Sequence, residues 1–295
     1  MQRREFIKLS AGAALGVLLP PPLWGKEPDA IVARGDPEKT VRAAVEALGG
    51  MGSIVRPGDT VLVKPNISFA RPPEWAATTH PLVIREVVRM CLEAGVRRVL
   101  VADHTLHDPK RCVSRTGLNE ALEGIEGVSI LTANVERFYR EVPAPMGKAL
   151  RRVKLLKALL DADKVIHMPV AKSHSATGVS LGIKGMLGLV WDRGFFHREV
   201  DLHQALADLA TVVRADLTVV DATRALLTKG PGGPGKVAHL RTVVASRDVL
   251  AADAVAVGLA PWWGKVSKPQ DIEHLVAAHR MGVGNLFPEV REVRA

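Results

Sequence analysis

Residues 163–190 carry the clearest alternation of apolar and polar character in the chain. There the apolar run Val165-Ile166-His167-Met168 stands between charged residues and Pro169. A short run bounded in this way predicts a strand buried on both faces of a parallel sheet. Similar runs at 60–63, 98–102, 128–131, 217–220 and 240–245 are read as further strands. Between them apolar residues recur at helical spacing. Val83, Ile84, Val87, Val88 and Cys91 form one stripe opposite Arg85, Arg89 and Glu93, and Leu202, Ala205, Leu206, Leu209, Val212 and Val213 form another. Asp36-Pro37 starts an earlier helix, with Asp as cap and Pro in the first turn. Segments 158–162, 248–259 and 271–284 read as helices, and Thr116-Gly117-Leu118 begins a short one. The strand–helix alternation, with no internal repeat or linker, predicts one α/β domain over residues 30–295. Its mainly parallel sheet is flanked by helices on both faces.

Polar residues of distinct chemistry follow the predicted strands: Lys64 and Asn66, Asp103 and His104, Lys172 and His174, and Asp221. The C-terminal ends of parallel strands share one edge, so these residues are expected to meet around one ligand crevice. Lys184 sits within a run bearing Gly178, Gly182, Gly185 and Gly188, where the backbone can approach a ligand closely. His174 is expected to move a proton beside Lys172, with Asp221 orienting the histidine or binding a cation. Lys64, Lys172 and Lys184 are expected to hold an anion as point charges, with Asn66 as a further donor. Thr79 or His80 caps the following helix, whose positive N-terminus is expected to face the same crevice. The loop 191–197, with Phe195, Phe196 and His197, is placed to close over it.

Other motifs are weaker. Asp103, His104, His107 and Asp108 are metal-ligand types in close succession, or simply loop polarity. Gly230 to Lys236 fits the G-x-x-x-x-G-K part of a phosphate loop. We reject that reading, because Val237 replaces the hydroxyl and Pro231 and Pro234 remove two N–H donors. The basic segment 148–157 reads as a solvated edge leading into a helix.

Composition narrows the function. The formal charge is +9, aromatics are 4% with one Tyr, and no zinc-finger or RNA-binding signature is present. That favours small anions over nucleic acid. The two cysteines, Cys91 and Cys112, are too few to ligate a four-cysteine iron–sulfur cluster from this chain alone. Whether they pair is open. Arg3-Arg4 precedes the mild apolar run 11–19, which resembles a twin-arginine export signal over residues 1–25. The run is shorter than the roughly 18 residues of a membrane span, so no stable span is expected beyond the signal. Residues 1–25 hold three cations and one acid, so cleavage there lowers the net charge from +9 to +7. The expected location is the periplasm or another exported compartment.

Several of these pieces together resemble the family known only as domain of unknown function 362. They are Val63-Lys64-Pro65-Asn66, Thr78-Thr79-His80-Pro81, Asp163 with the strand to Pro169, Lys172-Ser173-His174 and Ile183-Lys184 before Leu187-Gly188. Val220-Asp221-Ala222, Gly230-Pro231 and Ala251-Ala252-Asp253-Ala254 also match. The family pattern tends to have Asn after the lysine, where this chain has Gly185. Some members are fused to ferredoxin-like iron–sulfur modules, so the resemblance leaves open a separate redox partner here. It names no reaction. The residues fit an enzyme handling a carboxylate or phosphate compound. They also admit a protein dependent on a divalent metal or redox cofactor, with His80, His174 and Asp221 as ligands, or a non-catalytic binding protein.

Overall fold

The computed structural model describes residues 27–295. The paired arginines and the apolar run after them lie outside the described residues. In chain order the strands are β1 (Ala30–Arg34), β2 (Thr60–Pro65), β3 (Arg98–Asp103), β4 (Val128–Thr132), β5 (Tyr139–Pro143), β6 (Arg152–Leu156), β7 (Lys164–Met168), β8 (Val170–His174), β9 (Gly178–Ser180), β10 (Leu217–Leu226), β11 (Val237–Ala238), β12 (Thr242–Ser246) and β13 (Val290–Arg294). The main sheet runs β13-β1-β12-β10-β7-β2-β3-β4, with β8, β9 and β11 attached near β10. Along that path only β12 opposes its neighbours; the β10-β7-β2-β3-β4 half is parallel throughout.

Period-two alternation divides the strands between two cores. Val61, Val63, Val99, Val101, Ile166 and Met168 pack with the helices Pro37–Glu46 and Pro81–Glu93 on one face. Leu62, Val165, Val220 and Val244 pack with the helices Leu202–Val212, Val249–Val257 and Glu273–Arg280 on the other. The expected mainly parallel sheet with helices on both faces is therefore what the chain adopts. Cys91 and Cys112 are buried on the inside of the fold and unpaired.

Acidic side chains at the strand starts set the register of the central strand. Asp163 Oδ2 accepts from Thr60 N at 2.8 Å, joining β7 to β2. Asp216 accepts from Val165 N at 2.9 Å and pairs with Lys164 at 2.8 Å, joining β7 to β10. Pro169 then interrupts the line. Up to Met168 the strand lies against β2, but β8 pairs instead with β9 and β10. The sheet opens where β2 and β8 part.

Several features depart from the sequence reading, among them the unexpected strands β5, β8, β9 and β11. Strands β1 and β13 were not expected; they come from opposite ends of the described chain and pair with each other, β13 at the sheet edge and β1 between it and β12. The basic segment 148–157 is not a plain solvated edge, because β6 pairs with β5 and alternates Val153 and Leu155 inward with Arg152 and Lys154 outward. The helix near 116 is two, Pro109–Arg115 and Leu118–Leu122, separated by Gly117 at φ 72°. Residues 193–197 of the expected closing loop belong to a short helix, Arg193–Arg198.

Asp208, fully buried on the helix Leu202–Val212, tethers the segment before β6. It accepts from Ala149 N at 2.6 Å, Leu150 N at 2.8 Å and Gln204 Nε2 at 2.8 Å. Asp208→Ala leaves the Leu150 N–H buried and unpaired and is expected to cost at least about 1–3 kcal/mol. Urea denaturation should show a lower midpoint with an unchanged slope.

Candidate functional site

The floor of the crevice is built at the ends of β2 and β3. Lys64 Nζ and Asp103 Oδ1 lie 3.0 Å apart, at 1% and 0% side-chain exposure. Lys64 Nζ also donates to Pro65 O at 2.7 Å. Asp103 Oδ2 accepts from Ile67 N at 2.9 Å and Ser68 Oγ at 3.0 Å, fixing the turn that leaves β2. Gly188 covers the pair, its carbonyl accepting from His104 N at 3.1 Å. A methyl group at 188 would overlap Asp103 Oδ1 and come within 2.6 Å of Lys64 Nζ. Only glycine fits there without displacing the pair.

Strand β8 supplies one wall. Its alternation points Lys172 and His174 to the same side. Lys172 Nζ donates to Ala77 O at 2.5 Å and stands 4.8 Å from the centre of the Phe69 ring. Lys184 projects from the helical turn Gly182–Gly185. The buried Asp253 carboxylate holds that turn, accepting from Gly182 N at 2.6 Å and Ile183 N at 2.8 Å. The neighbouring His167 places Nε2 2.9 Å from Gly182 O. At the rim, Lys184 Nζ is 3.4 Å from His197 Nε2, and Arg193 donates to His104 O at 3.0 Å and Thr105 O at 3.3 Å. The cleft, about 320 Å³ and open to solvent on one side, takes in Lys64, Asn66, Lys172, His174, Lys184 and Arg193.

Burial governs the protonation of this set, because a charge away from water is disfavoured. It pushes Lys172 down to about 7; Asp103 pulls the other way, and Lys64 and Lys184 add to the depression. Lys184 also falls to about 7, through burial and then through Arg193. His174 is driven to about 3 by burial, then by Lys184 and Lys172, so its ring is neutral at neutral pH. Its Nδ1 accepts from Ala176 N at 3.1 Å, which places the ring proton on Nε2. The cleft thus combines clustered cations with a neutral histidine and lysines that can give or take a proton.

Lys64, Asn66, Lys172 and His174, which the strand-end argument grouped, line one cleft together with Lys184, although Lys172 and His174 lie within strand β8 rather than beyond a strand. Asp221, Thr79 and His80 do not join them. Asp221 is fully buried and accepts from His80 N at 2.7 Å, Thr223 N at 3.0 Å and Thr223 Oγ1 at 2.6 Å, and pairs with Arg224 at 3.1 Å. The helix beginning at Pro81 therefore presents its N-terminus to Asp221 rather than to the cleft. His80 caps that helix through Nδ1, and Thr79 Oγ1 ties Asn66 N to Met168 O. The Asp103–Asp108 cluster is dispersed as well. His104 Nδ1 lies 3.1 Å from Val190 O with its ring stacked on Trp191, His107 accepts from Ala70 N, and Asp108 caps a helix. Among the described residues no group of three or more His, Cys, Asp or Glu side chains is arranged to hold a metal ion. Arg193, Arg198 and Ser180 line the cleft without any sequence signal that marked them. Asp253 stood in a matched motif, but nothing tied it to Lys184.

Fold and site together define an α/β protein with a cation-lined cleft at the strand ends of a mainly parallel sheet. The chain belongs to the family Domain of unknown function (DUF362), which it matches over residues 61–258. It is 28% identical over 260 residues to a thylakoid-associated protein of Synechocystis sp., covering 85% of this chain and 77% of that one. The lactate racemase apoprotein from Thermoanaerobacterium thermosaccharolyticum is similar in structure, with a TM-score of 0.49 and 13% identity over 79% of this chain. The chain spans 58% of that racemase chain. Among the described residues no helix is long and apolar enough to cross a membrane.

Gly188→Ala should displace the Lys64–Asp103 pair and cost about 1–3 kcal/mol, the usual penalty for overpacking. Gly52→Ala, with nothing within 4 Å of the added carbon, should stay within about 0.5 kcal/mol of the wild type. Parallel urea titrations of the two variants check the contrast.

Proposed function

We propose that the cleft binds a small carboxylate or phosphate compound and acts on it as an enzyme. Lys172 and His174 stand at the reacting centre, and Lys64, Asn66, Lys184 and Arg193 position the anion. One observation carries the reading: Lys172, Lys184, Arg193 and Arg198 border the cleft, yet among the described residues no Asp or Glu lines it, and Asp103 beneath it is already paired with Lys64. Lys172 and Arg193 are satisfied by backbone carbonyls instead. A cluster of like charges held in this way is missing a counter-charge, and an anionic ligand supplies it.

Lys172→Ala removes one charge-assisted contact, worth about 1.5–3 kcal/mol, and should weaken an anion by about 10- to 150-fold. Calorimetry with sulfate and oxalate, whose charges are fixed near neutrality, reads the change; unaltered affinity would sink the proposal. A co-purifying anion that is bound but never turned over would favour the non-catalytic alternative.

The pH dependence has a definite sign. Lys172 and Lys184 sit near 7 when the cleft is empty, well below the ordinary 10.5. An anion favours their ammonium forms, so binding takes up protons. Affinity for sulfate should fall as pH rises through 7. The empty protein should gain stability between about 7 and 10.5, because there the unfolded chain binds more protons than the folded one. Calorimetry in buffers of different ionisation enthalpy measures the proton uptake directly.

Export by the twin-arginine route is also part of the proposal and rests on Arg3-Arg4 before the apolar run. Replacing both with lysine should retain the protein in the cytoplasm on fractionation.

A further inference from the structure

We infer that Lys172 is a covalent centre, whose amine forms an imine with the carbonyl carbon of an anionic oxo compound, of which 2-oxo acids are the simplest class. This deepens the anion-site reading and rests on it.

The three cleft lysines are not equivalent. Lys64 is committed to Asp103 at 3.0 Å and to Pro65 O at 2.7 Å. Lys184 stands near the rim, 3.4 Å from His197 and next to Arg193, where a carboxylate can be gripped from two sides. Lys172 lies deeper, at 1% exposure, with the Ala77 carbonyl on one side and the Phe69 ring on the other. Among the described residues no carboxylate pairs with it. A lysine desolvated beside other cations is the setting in which an amine becomes a nucleophile at neutral pH, and Lys172 sits near 7. In the β8–β9 register it faces Ser180, and His174 follows two residues on, on the same face. The Nε2–H of His174 is the free donor of that ring, because Nδ1 is occupied by Ala176 N. A 2-oxo acid bound with its carboxylate toward Lys184 and Arg193 presents its carbonyl carbon one bond further in.

The step balances within the cleft. The lone pair of the neutral Lys172 amine forms the N–C bond and the carbonyl π bond breaks. The oxygen leaves as water, taking one proton from Lys172 Nζ and one from the Lys184 ammonium. Lys172 ends as the iminium cation and Lys184 as the neutral amine, so the net charge of the buried cluster is unchanged. Nothing is oxidised or reduced. The His174 Nε2–H is available to donate a hydrogen bond to the departing oxygen.

Reductive trapping tests this on the wild-type chain. Incubation near pH 7 with glyoxylate, pyruvate or 2-oxoglutarate, followed by cyanoborohydride and peptide mass mapping, should give a saturable adduct on Lys172 that excess sulfate suppresses. Lys172→Arg should lose the adduct completely while keeping sulfate affinity within about tenfold. Absence of an adduct with all three acids overturns the inference, as does one confined to other lysines or indifferent to sulfate. If sulfate still binds in those cases, the anion site survives without the imine. If wild-type protein binds no sulfate or oxalate, the underlying reading fails instead.

Discussion

A lysine and an aspartate buried against one another hold the strand ends in place. An ion pair out of water is a poor source of net stability, yet removing either partner strands the other and typically costs about 3–5 kcal/mol. Lys64 and Asp103 therefore behave as one unit. Through its second oxygen Asp103 also fixes Ile67 and Ser68, and Gly188 must lie against both side chains. Three separate stretches of chain are located by this contact, and the remaining cations are positioned relative to it.

The fold keeps its other acids away from the cleft. Asp253 is spent on the turn that carries Lys184. Asp221 sits at the N-terminus of the helix Pro81–Glu93, where a negative charge is favoured by the peptide dipoles, and Arg224 completes its surroundings. Neither can neutralise Lys172 or Lys184. The positive character of the cleft follows from where the acids are used, as much as from the number of lysines present.

Much of this was legible in the sequence. The buried strands and the amphipathic helices follow from periodicity, and the rule for parallel strand ends grouped Lys64 with Lys172 and His174, although the last two stand on the unexpected strand β8. Asp221 misled for a definite reason. The apolar run suggests that the strand stops at Val220, but β10 continues to Leu226 and Asp221 falls mid-strand. Its extension, Asp221-Ala222-Thr223-Arg224, carries polar residues that bond to one another and to neighbouring loops, so the apolar pattern fades while the pairing persists. Strands β1 and β13 were missed because they depend on partners far along the chain, β1 on β12 and β13, and β13 on β1. Arg193 reached the site through a short helix whose position is set by packing, which local patterning does not record.

The elements around the cleft are held by different numbers of backbone pairings. Lys172 and His174 stand on a strand paired to β9 and β10, and Lys64 on one paired to β3 and β7. Moving them means breaking sheet hydrogen bonds, an opening that draws on much of the stability of the fold. The opposite rim, Arg193–Arg198, is one short helix with exposed Phe195, His197 and Arg198. Accommodation to ligands of different size therefore falls on that rim. Under the proposed function, selectivity for shape can change at that rim while Lys172 and His174 stay fixed on β8.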